Sequence, residues 1–220
     1  MARNAGASWH PGAVLPRFEP MLAANRPSRV PPATWALEPK LDGWRVLVYV
    51  EGGRVEVRTR RGRSITEQVP ELAGLAEHVD GPCVLDGELV AGAGRPWDFY
   101  RVAPRLALRS DRVTSAGRLT FVAFDVLWLG DGPTTSRPYV ERRALLEGLA
   151  LAGAAWATVG SFDDPIGDVM EACASLGLEG MLAKRSDSPY RPGVRSDDWL
   201  KLKTADWRAV HAPRRTDARR

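Results

Sequence analysis

The chain has 220 residues, of which 44% are hydrophobic and 26% are charged, the composition of a soluble globular protein with one domain or two small ones. Its 17 prolines and 21 glycines follow no repeat, which excludes collagen-like, coiled-coil and low-complexity chains. The formal net charge is +4, and only four of the 31 basic residues are lysines, at positions 40, 184, 201 and 203. Because arginine supplies the ordinary surface cations, each lysine is a candidate for a role that needs a neutral amine.

Cysteine usage and hydropathy indicate the cellular setting. Cys83 and Cys173 lie in apolar contexts without metal-ligand spacing, and the three histidines are scattered. The N-terminus has no apolar signal core, and the longest uncharged stretch, 148–162, is too short and too rich in glycine to span a bilayer. We therefore expect a reduced, cytoplasmic protein that has no structural zinc and does not enter a membrane.

The first 33 residues are rich in proline and lack periodicity, so we predict an irregular lead segment. Segments 45–50 and 55–59 are predicted strands of a hairpin with a Gly52-Gly53 turn and one solvent-facing side. The other predicted strands are 35–37, 83–91, 119–129, 180–184 and 198–203, and the predicted helices are 67–79, 97–108, 140–149 and 164–176. Asp163 or Asp164 is placed to cap the last helix. Strands and helices do not alternate regularly, which predicts an α+β fold with mainly antiparallel sheets.

The predicted strand 35–37 is followed by the sequence Glu-Pro-Lys-Leu-Asp-Gly-Trp-Arg, from Glu38 to Arg45. Its lysine, Lys40, comes just before the turn into the next strand. An Asp-Gly pair by itself marks only a turn. Lys40 is the distinctive residue of this motif. A lysine nucleophile must lose its proton from an ordinary pKa of about 10.4, and nearby cations and partial desolvation favour that loss. Lys40 is therefore the candidate nucleophile.

Three further motifs hold charged or aromatic residues in unusual positions. The run from Arg58 to Arg63 holds four arginines, which suit either a solvated turn or contact with polyphosphate. Glu88 lies inside an apolar strand, where a carboxylate costs free energy unless it is paired, so we expect it at the edge of a cleft. Asp125 repeats that situation, and its neighbour Phe124 is equally consistent with core packing and with stacking on a base.

The last motifs lie near the C-terminus. Glu179 precedes the strand 180–184, and Lys201 and Lys203 lie two residues apart on the final strand, so their side chains point the same way. Two ammonium groups on one side form a phosphate clamp. Lysines on an edge strand also prevent aggregation, but in this chain arginine would be expected in that role.

Taken in order, six motifs resemble the nucleotidyltransferase motifs of ATP-dependent DNA ligases and, more loosely, those of messenger-RNA capping enzymes and RNA ligases. They are Lys-Leu-Asp-Gly-Trp-Arg, Thr-Arg-Arg-Gly, Asp-Gly-Glu, Phe-Asp-Val-Leu, Glu-Gly-Met-Leu-Ala-Lys-Arg and Trp-Leu-Lys-Leu-Lys. Repair ligases of the ligase C and ligase D classes are the nearest match, because they share a Pro-Met-Leu-Ala lead-in, here 20–23, and a Ser-Pro-Tyr-Arg-Pro-Gly loop, here 188–193. The resemblance spans about residues 20 to 203, and six ordered motifs make it specific.

The resemblance implies an α+β nucleotidyltransferase (adenylation) domain of two mainly antiparallel sheets flanked by helices, with ATP in the cleft between them. Lys40 would form lysyl-AMP, and the AMP would then move to the 5′-phosphate of a DNA nick before the 3′-hydroxyl seals the strand. Glu179 would hold the Mg²⁺ or Mn²⁺ cofactor, and Lys184 matches a family position without an assigned role. The other family positions place Glu38 in the adenine-contacting segment, Phe124 on the base, Glu88 on the ribose hydroxyl, Arg45 and Arg60 on the sugar-phosphate, and Lys201 and Lys203 on the α-phosphate.

The expected organisation is a lead segment over 1–33, the adenylation domain over 34–203 and a basic tail over 204–220. Only 17 residues follow Lys203, too few for the OB-fold that normally completes such ligases. The tail holds five arginines and is either a nucleic-acid contact or a solvated end. The expected partners are nicked double-stranded DNA and an OB-fold or repair protein in trans. The alternatives are an ATP- or AMP-binding adenylation domain that cannot ligate alone, and an RNA ligase or capping-type nucleotidyltransferase.

Overall fold

The computed structural model of the chain describes residues 15–24, 35–92, 99–107 and 117–211. Predictions for most of the lead segment, for both ends of the 97–108 helix and for the arginine-rich end of the tail lie outside these residues. Within the described ranges, none of the helices is both long enough and apolar enough to cross a membrane.

Two sheets form the framework of the described residues. Their strands, in chain order, are β1 (Leu22–Ala24), β2 (Ala36–Pro39), β3 (Trp44–Glu51), β4 (Arg54–Thr59), β5 (Cys83–Val90), β6 (Thr120–Leu129), β7 (Gly132–Pro133), β8 (Trp156–Thr158), β9 (Gly180–Lys184) and β10 (Arg195–Lys203). The smaller sheet has the order β1-β10-β9-β2 and the larger sheet the order β4-β3-β5-β6-β7, with β8 beside β6. Pairing is antiparallel except for β1 with β10 and β8 with β6. The predicted α+β class with mainly antiparallel sheets is therefore confirmed.

In the described part of the chain, four helices pack on the outer faces of the two sheets, and a fifth follows the last strand. They are α1 (Leu75–His78), α2 (Phe99–Leu106), α3 (Tyr139–Gly148), α4 (Ile166–Ser175) and α5 (Ala205–His211). Buried residues of α1, α2 and α3 belong to the core on one side of the larger sheet, and buried residues of α4 belong to the core behind the smaller sheet. A third core lies between the sheets and holds residues of both.

Alternation along β3 explains how the larger sheet is covered on both faces. Val46, Val48 and Val50 pack into the helix-side core, whereas Leu47 and Tyr49 pack into the core between the sheets. Successive side chains of a strand point to opposite faces, so a strand with two buried faces has a nearly continuous apolar sequence. The predicted solvent-facing side of the hairpin is therefore confined to β4, where Glu56 and Arg58 are only partly buried.

Three local predictions are wrong. The predicted helix 67–79 is instead two 3₁₀ turns, Thr66–Gln68 and Pro70–Leu72, followed by the short helix α1. Pro70 has no backbone N–H and so interrupts a continuous α-helical hydrogen-bond ladder. The helix α4 begins after Pro165 and has no side-chain cap, so neither Asp163 nor Asp164 caps it.

The third difference concerns the lead segment. Strand β1 pairs with β10, and Leu15, Met21 and Ala23 are buried in the core between the sheets. Proline density hid a strand of three residues, which is too short to show periodicity. The predicted tail also starts with the helix α5. The domain limits at 33 and 204 stay predictions.

Candidate active site

A cleft with a volume of about 190 Å³ opens between the two sheets. Its walls come from β1, β2, β9 and β10 of the smaller sheet and from β3, β5 and β6 of the larger sheet. Seven of the residues singled out from the sequence line it, namely Glu38, Lys40, Arg45, Arg60, Glu88, Phe124 and Lys201. Glu179 and Lys203, the remaining two, lie next to it through contacts with Lys40 and with each other.

Lys40 follows the last residue of β2, where the chain leaves the smaller sheet. Its backbone N–H donates to the carbonyl of Gly180 at 2.9 Å, which fixes the start of the loop against β9. Its Nζ forms an ion pair with Oε2 of Glu179. The amine thus stands at the junction between the cleft and the first residues of β9.

Glu179 joins two of the four lysines of the chain. Its Oε2 contacts Lys40, and its Oε1 lies 2.8 Å from Nζ of Lys203. Burial acts to raise the pKa of Glu179, but the two lysines together outweigh it and hold the pKa below its ordinary value. Lys203 also stacks on the Trp207 ring of α5, with 3.1 Å between Nζ and the ring centroid.

Glu88 projects from β5 into the cleft. Its Oε1 accepts a hydrogen bond from the backbone N–H of Gly43 at 3.1 Å. Burial raises the pKa of Glu88 to about 7, although Arg45 and Lys40 act in the opposite direction. Glu88 thus lies at the edge of the cleft, as we expected from its position in an apolar strand, and its carboxylate can accept a hydrogen bond from a ligand hydroxyl.

Glu38 and Lys184 form a buried ion pair behind the cleft. Nζ of Lys184 lies 2.6 Å from Oε2 of Glu38, and the Tyr139 hydroxyl donates to Oε1 at 2.5 Å. Lys184 also donates to the carbonyl of Phe124 at 3.1 Å. Burial lowers the pKa of Lys184, and Glu38 opposes that change. Lys184, to which the sequence assigned no role, therefore holds Glu38 and the backbone of β6 in place.

Phe124 belongs to the core between the sheets and also lines the cleft. Its ring packs edge-on against Trp199, with 6.3 Å between centroids, in the core between the sheets. The same ring lines the cleft. An aromatic face held by a buried neighbour is a rigid platform for a planar ligand.

Cationic side chains line another part of the cleft. The Arg45 guanidinium lies 5.0 Å from the Phe124 centroid, and Arg60 and Lys201 also line the space. Burial, followed by the charge of Lys40, lowers the pKa of Lys201. This concentration of positive charge suits a phosphate-bearing ligand.

Sequence reasoning did not single out Arg195 and Trp199, which also line the cleft. Both lie on β10. Trp199 lies two residues before Lys201, and alternate residues of a strand share a face, so this spacing was the signal that could have found it. The register of β10 against β1 shifts between Ser196 and Leu200, so the alternation does not extend to Arg195.

Known proteins are similar to this chain in both sequence and fold. The family model for the ATP dependent DNA ligase domain matches residues 20–203. DNA ligase C2 of Mycolicibacterium smegmatis is 39% identical over 190 residues, which cover 83% of this chain and 53% of that protein. The multifunctional non-homologous end joining protein LigD of the same organism is 37% identical over 194 residues, covering 84% of this chain and 24% of LigD.

Solved structures agree with these sequence matches. The ligase domain of M. tuberculosis LigD has a TM-score of 0.70 and 34% identity, covering 84% of this chain and 59% of that one. A mycobacterial DNA ligase D complexed with ATP and MES has a TM-score of 0.67 and 33% identity, covering 84% of this chain and 60% of that one. The chain spans about half the length of DNA ligase C2 and about a quarter of LigD.

The family match covers the region between the buried start of β1 and the last lysine of β10, and therefore includes every residue that lines the cleft. The six ordered motifs lie in the same region, and they meet around one cleft between two sheets. The chain belongs to the ATP-dependent DNA ligase family.

Proposed function

We propose that this chain is the nucleotidyltransferase core of an ATP-dependent DNA ligase that seals nicks in DNA repair. The observation that supports this function best is the position of Lys40, at the mouth of a cleft that offers cations for phosphates and an aromatic face for a base. A solved relative is a complex with ATP. ATP is accordingly the proposed nucleotide for this cleft.

In the proposed complex, different side chains contact the base, the ribose and the phosphate of the nucleotide. Phe124 stacks on the adenine, and the carboxylate of Glu88 accepts a hydrogen bond from a ribose hydroxyl. Arg45 and Arg60 contact the sugar-phosphate. Glu38 lies at the adenine end, where Lys184 and Tyr139 hold its carboxylate rigidly.

The proposed first step is attack by Lys40 on the α-phosphorus of ATP. A bond forms between Nζ and phosphorus, the bond from phosphorus to the oxygen of the β-phosphate breaks, and pyrophosphate leaves with the electron pair. The attacking amine is neutral, and after attack the nitrogen releases one proton to solvent. The product is a phosphoramidate with a neutral nitrogen and one negative charge on its phosphate. Lys201 and Lys203 neutralise the negative charge that develops on the α-phosphate.

Glu179 is the proposed contact for Mg²⁺ or Mn²⁺. Among the described residues, no group of three or more histidine, cysteine, aspartate or glutamate side chains is arranged to hold a metal ion. Mg²⁺ nevertheless fits, because it usually keeps several waters and needs only one or two carboxylates beside the substrate phosphates. When bound, the ion neutralises part of the phosphate charge. Glu179 carries the carboxylate next to Lys40 and Lys203.

Nicked double-stranded DNA is the proposed substrate of the later steps. The AMP moves from Lys40 to the 5′-phosphate of the nick, and the 3′-hydroxyl then displaces AMP and joins the strand. The exposed arginines Arg61 and Arg63 lie beside Arg60 on the loop after β4 and face solvent, where they can contact a DNA backbone. An OB-fold or repair protein acting in trans is a further proposed partner.

The proposal is tested by intact mass measurement after incubation with ATP and Mg²⁺. We expect one added AMP on the wild type and none on Lys40→Arg, which keeps the positive charge beside Glu179 but offers no amine nucleophile. Arg137→Ala is the matched control, because Arg137 is exposed and pairs only loosely with Glu141 at 3.9 Å. This variant should be adenylated like the wild type.

Nick sealing is measured separately on duplex DNA with a labelled 5′-phosphate at the nick. Joined product from the wild type, and none from Lys40→Arg, is expected. A wild type that gains no AMP would contradict the adenylation step. Adenylated protein without joined DNA would contradict nick sealing by this chain and would leave the first step intact.

A further inference from the structure

Asp86 is a fully buried carboxylate that does not line the cleft itself. It contacts Arg45, which does line the cleft. Asp86 lies on β5, two residues before Glu88, and is 0% exposed. Nε of Arg45 donates to its Oδ1 at 2.9 Å, and Nη2 of Arg45 donates to its Oδ2 at 2.6 Å. The hydroxyl of Tyr190 donates to the same Oδ2 at 2.6 Å. A buried charge is retained only when such partners satisfy it.

Arg45 is the residue through which Asp86 affects the cleft. Its side chain is 18% exposed and lines the cleft, with its guanidinium 5.0 Å from the Phe124 centroid and 5.7 Å from that of Trp199. Burial acts to lower the pKa of Arg45, but Asp86 and its neighbours outweigh it and raise the pKa. The two-point contact with Asp86 sets the plane of the guanidinium, and that plane decides where its free N–H groups point.

Tyr190 connects the carboxylate to the other sheet. It lies in the loop that precedes β10, and its ring packs edge-on against Trp199 of β10, with 5.6 Å between centroids. Its hydroxyl accepts a hydrogen bond from the backbone N–H of Met21, just before β1, at 2.8 Å. One buried hydroxyl therefore touches the lead of the smaller sheet and a carboxylate of the larger sheet.

We propose that Tyr190 is a positioning residue for the nucleotide, which acts through Asp86 to orient the Arg45 guanidinium at the cleft. The inference rests on the proposed function and adds a residue to it. The phenol donates to Oδ2, the same oxygen that accepts from Nη2 of Arg45, so the carboxylate has one orientation and the guanidinium has one plane. The orientation of Arg45 consequently depends on the packing of the two sheets.

The test compares two buried tyrosines, of which Tyr190 contacts Asp86 and Tyr49 contacts Arg17 instead. Tyr190→Phe removes the hydroxyl that holds Asp86. Tyr49→Phe is the matched control, because the Tyr49 hydroxyl also accepts a backbone N–H of the lead segment, from Phe18 at 3.1 Å, but lies on β3 outside the cleft lining. Both variants should lose a hydrogen bond to the lead segment.

Three quantities separate positioning from general stability. The first is the dissociation constant of AMP, which has no pyrophosphate to lose and therefore binds without forming lysyl-AMP. The second and third are the KM for ATP and the adenylation rate at saturating ATP. For Tyr190→Phe we expect both the dissociation constant and the KM to rise about tenfold, the factor that corresponds to one hydrogen bond. The saturated rate should change much less, and Tyr49→Phe should leave all three near wild-type values.

A double-mutant cycle with Arg45→Ala tests the route through Arg45. We expect Tyr190→Phe to have no further effect on AMP affinity in the Arg45→Ala background. Equal effects in both backgrounds, or equal effects of the two tyrosine variants, would overturn the positioning role. If Tyr190→Phe fails to fold, Asp86→Asn takes its place, because it keeps an acceptor for the phenol and weakens the hold on Arg45.

Failure of the proposed function gives a different pattern. A wild type that binds AMP but gains no AMP from ATP contradicts the lysine chemistry, and the affinity series still decides the role of Tyr190. A wild type that becomes adenylated normally, with AMP affinity unchanged by Tyr190→Phe, contradicts the positioning role alone. A wild type without AMP affinity contradicts both.

Discussion

Glu88 shows how a single side chain can link stability to pH in this protein. A carboxylate on β5 is flanked by apolar strand residues, and burial raises its pKa to about 7. The ordinary pKa of glutamate is about 4.3. Between these values the folded protein keeps a proton that the unfolded chain has released, so the contribution of Glu88 to stability falls as the pH rises.

Glu88→Gln should remove this pH dependence. From pH 4.5 to pH 7 we expect Glu88 to lower the free energy of unfolding of the wild type by about 1–2 kcal/mol, a value reduced because the side chain is partly exposed. Urea unfolding at several pH values in this range measures the difference between wild type and variant. Glu141→Gln, an exposed carboxylate on α3, is the control and should follow the wild type. A difference that stays constant with pH would contradict the raised pKa.

The turn between β2 and β3 shows why the Asp-Gly pair after Lys40 needs its glycine. A Cβ on Gly43 would lie 2.1 Å from the carbonyl oxygen of Leu89 on β5. The close approach lets the backbone N–H of Gly43 reach Glu88. The loop that carries Lys40 is thereby fixed to the strand that carries Glu88.

Gly43→Ala should destabilise the protein by about 1–3 kcal/mol, the usual cost of forcing extra volume into a packed site. Urea unfolding checks the value, and AMP affinity should fall with it because Glu88 loses its hydrogen bond. Gly167→Ala in α4 is the matched control, since no atom lies within 4 Å of the added Cβ. That substitution should be neutral or should stabilise the helix by up to about 1 kcal/mol. Equal stability of Gly43→Ala and wild type would show that the loop moves freely away from β5.

At the scale of the whole molecule, the described part of the lead segment, residues 15–24, contributes to the core between the sheets. Met21 is fully buried in the core there, beside residues of both sheets, and β1 extends the smaller sheet by a parallel strand. The backbone of Met21 also holds Tyr190. The cleft therefore depends on residues that precede every nucleotidyltransferase motif.

Met21→Ala should lower the free energy of unfolding by about 2–4 kcal/mol, the range for truncating a buried large side chain. Met170→Ala is the control, because Met170 packs only at the margin of the core behind the smaller sheet. Its loss should be clearly smaller in the same urea titration. If both variants lose the same amount, the lead segment contributes no more to the core than a peripheral helix residue.

The sequence by itself determined the fold class, most strand positions and seven of the residues that line the cleft. Alternation and apolar runs depend on neighbours a few residues apart, so β3, β5, β6 and β9 were predictable within a residue or two. The order of motifs also identified the family, which the comparison confirmed.

Only the tertiary structure decided how these residues are paired. The contact of Lys40 with Glu179 joins positions 139 residues apart, and that of Tyr190 with Asp86 joins positions 104 apart. Such pairs depend on which strands become neighbours and in which register, and no local pattern encodes either. The same reason explains why the buried ion pair of Glu38 and Lys184 and the strand β1 were not predicted. Residues Leu22–Ala24 form a strand because they pair with the backbone of β10.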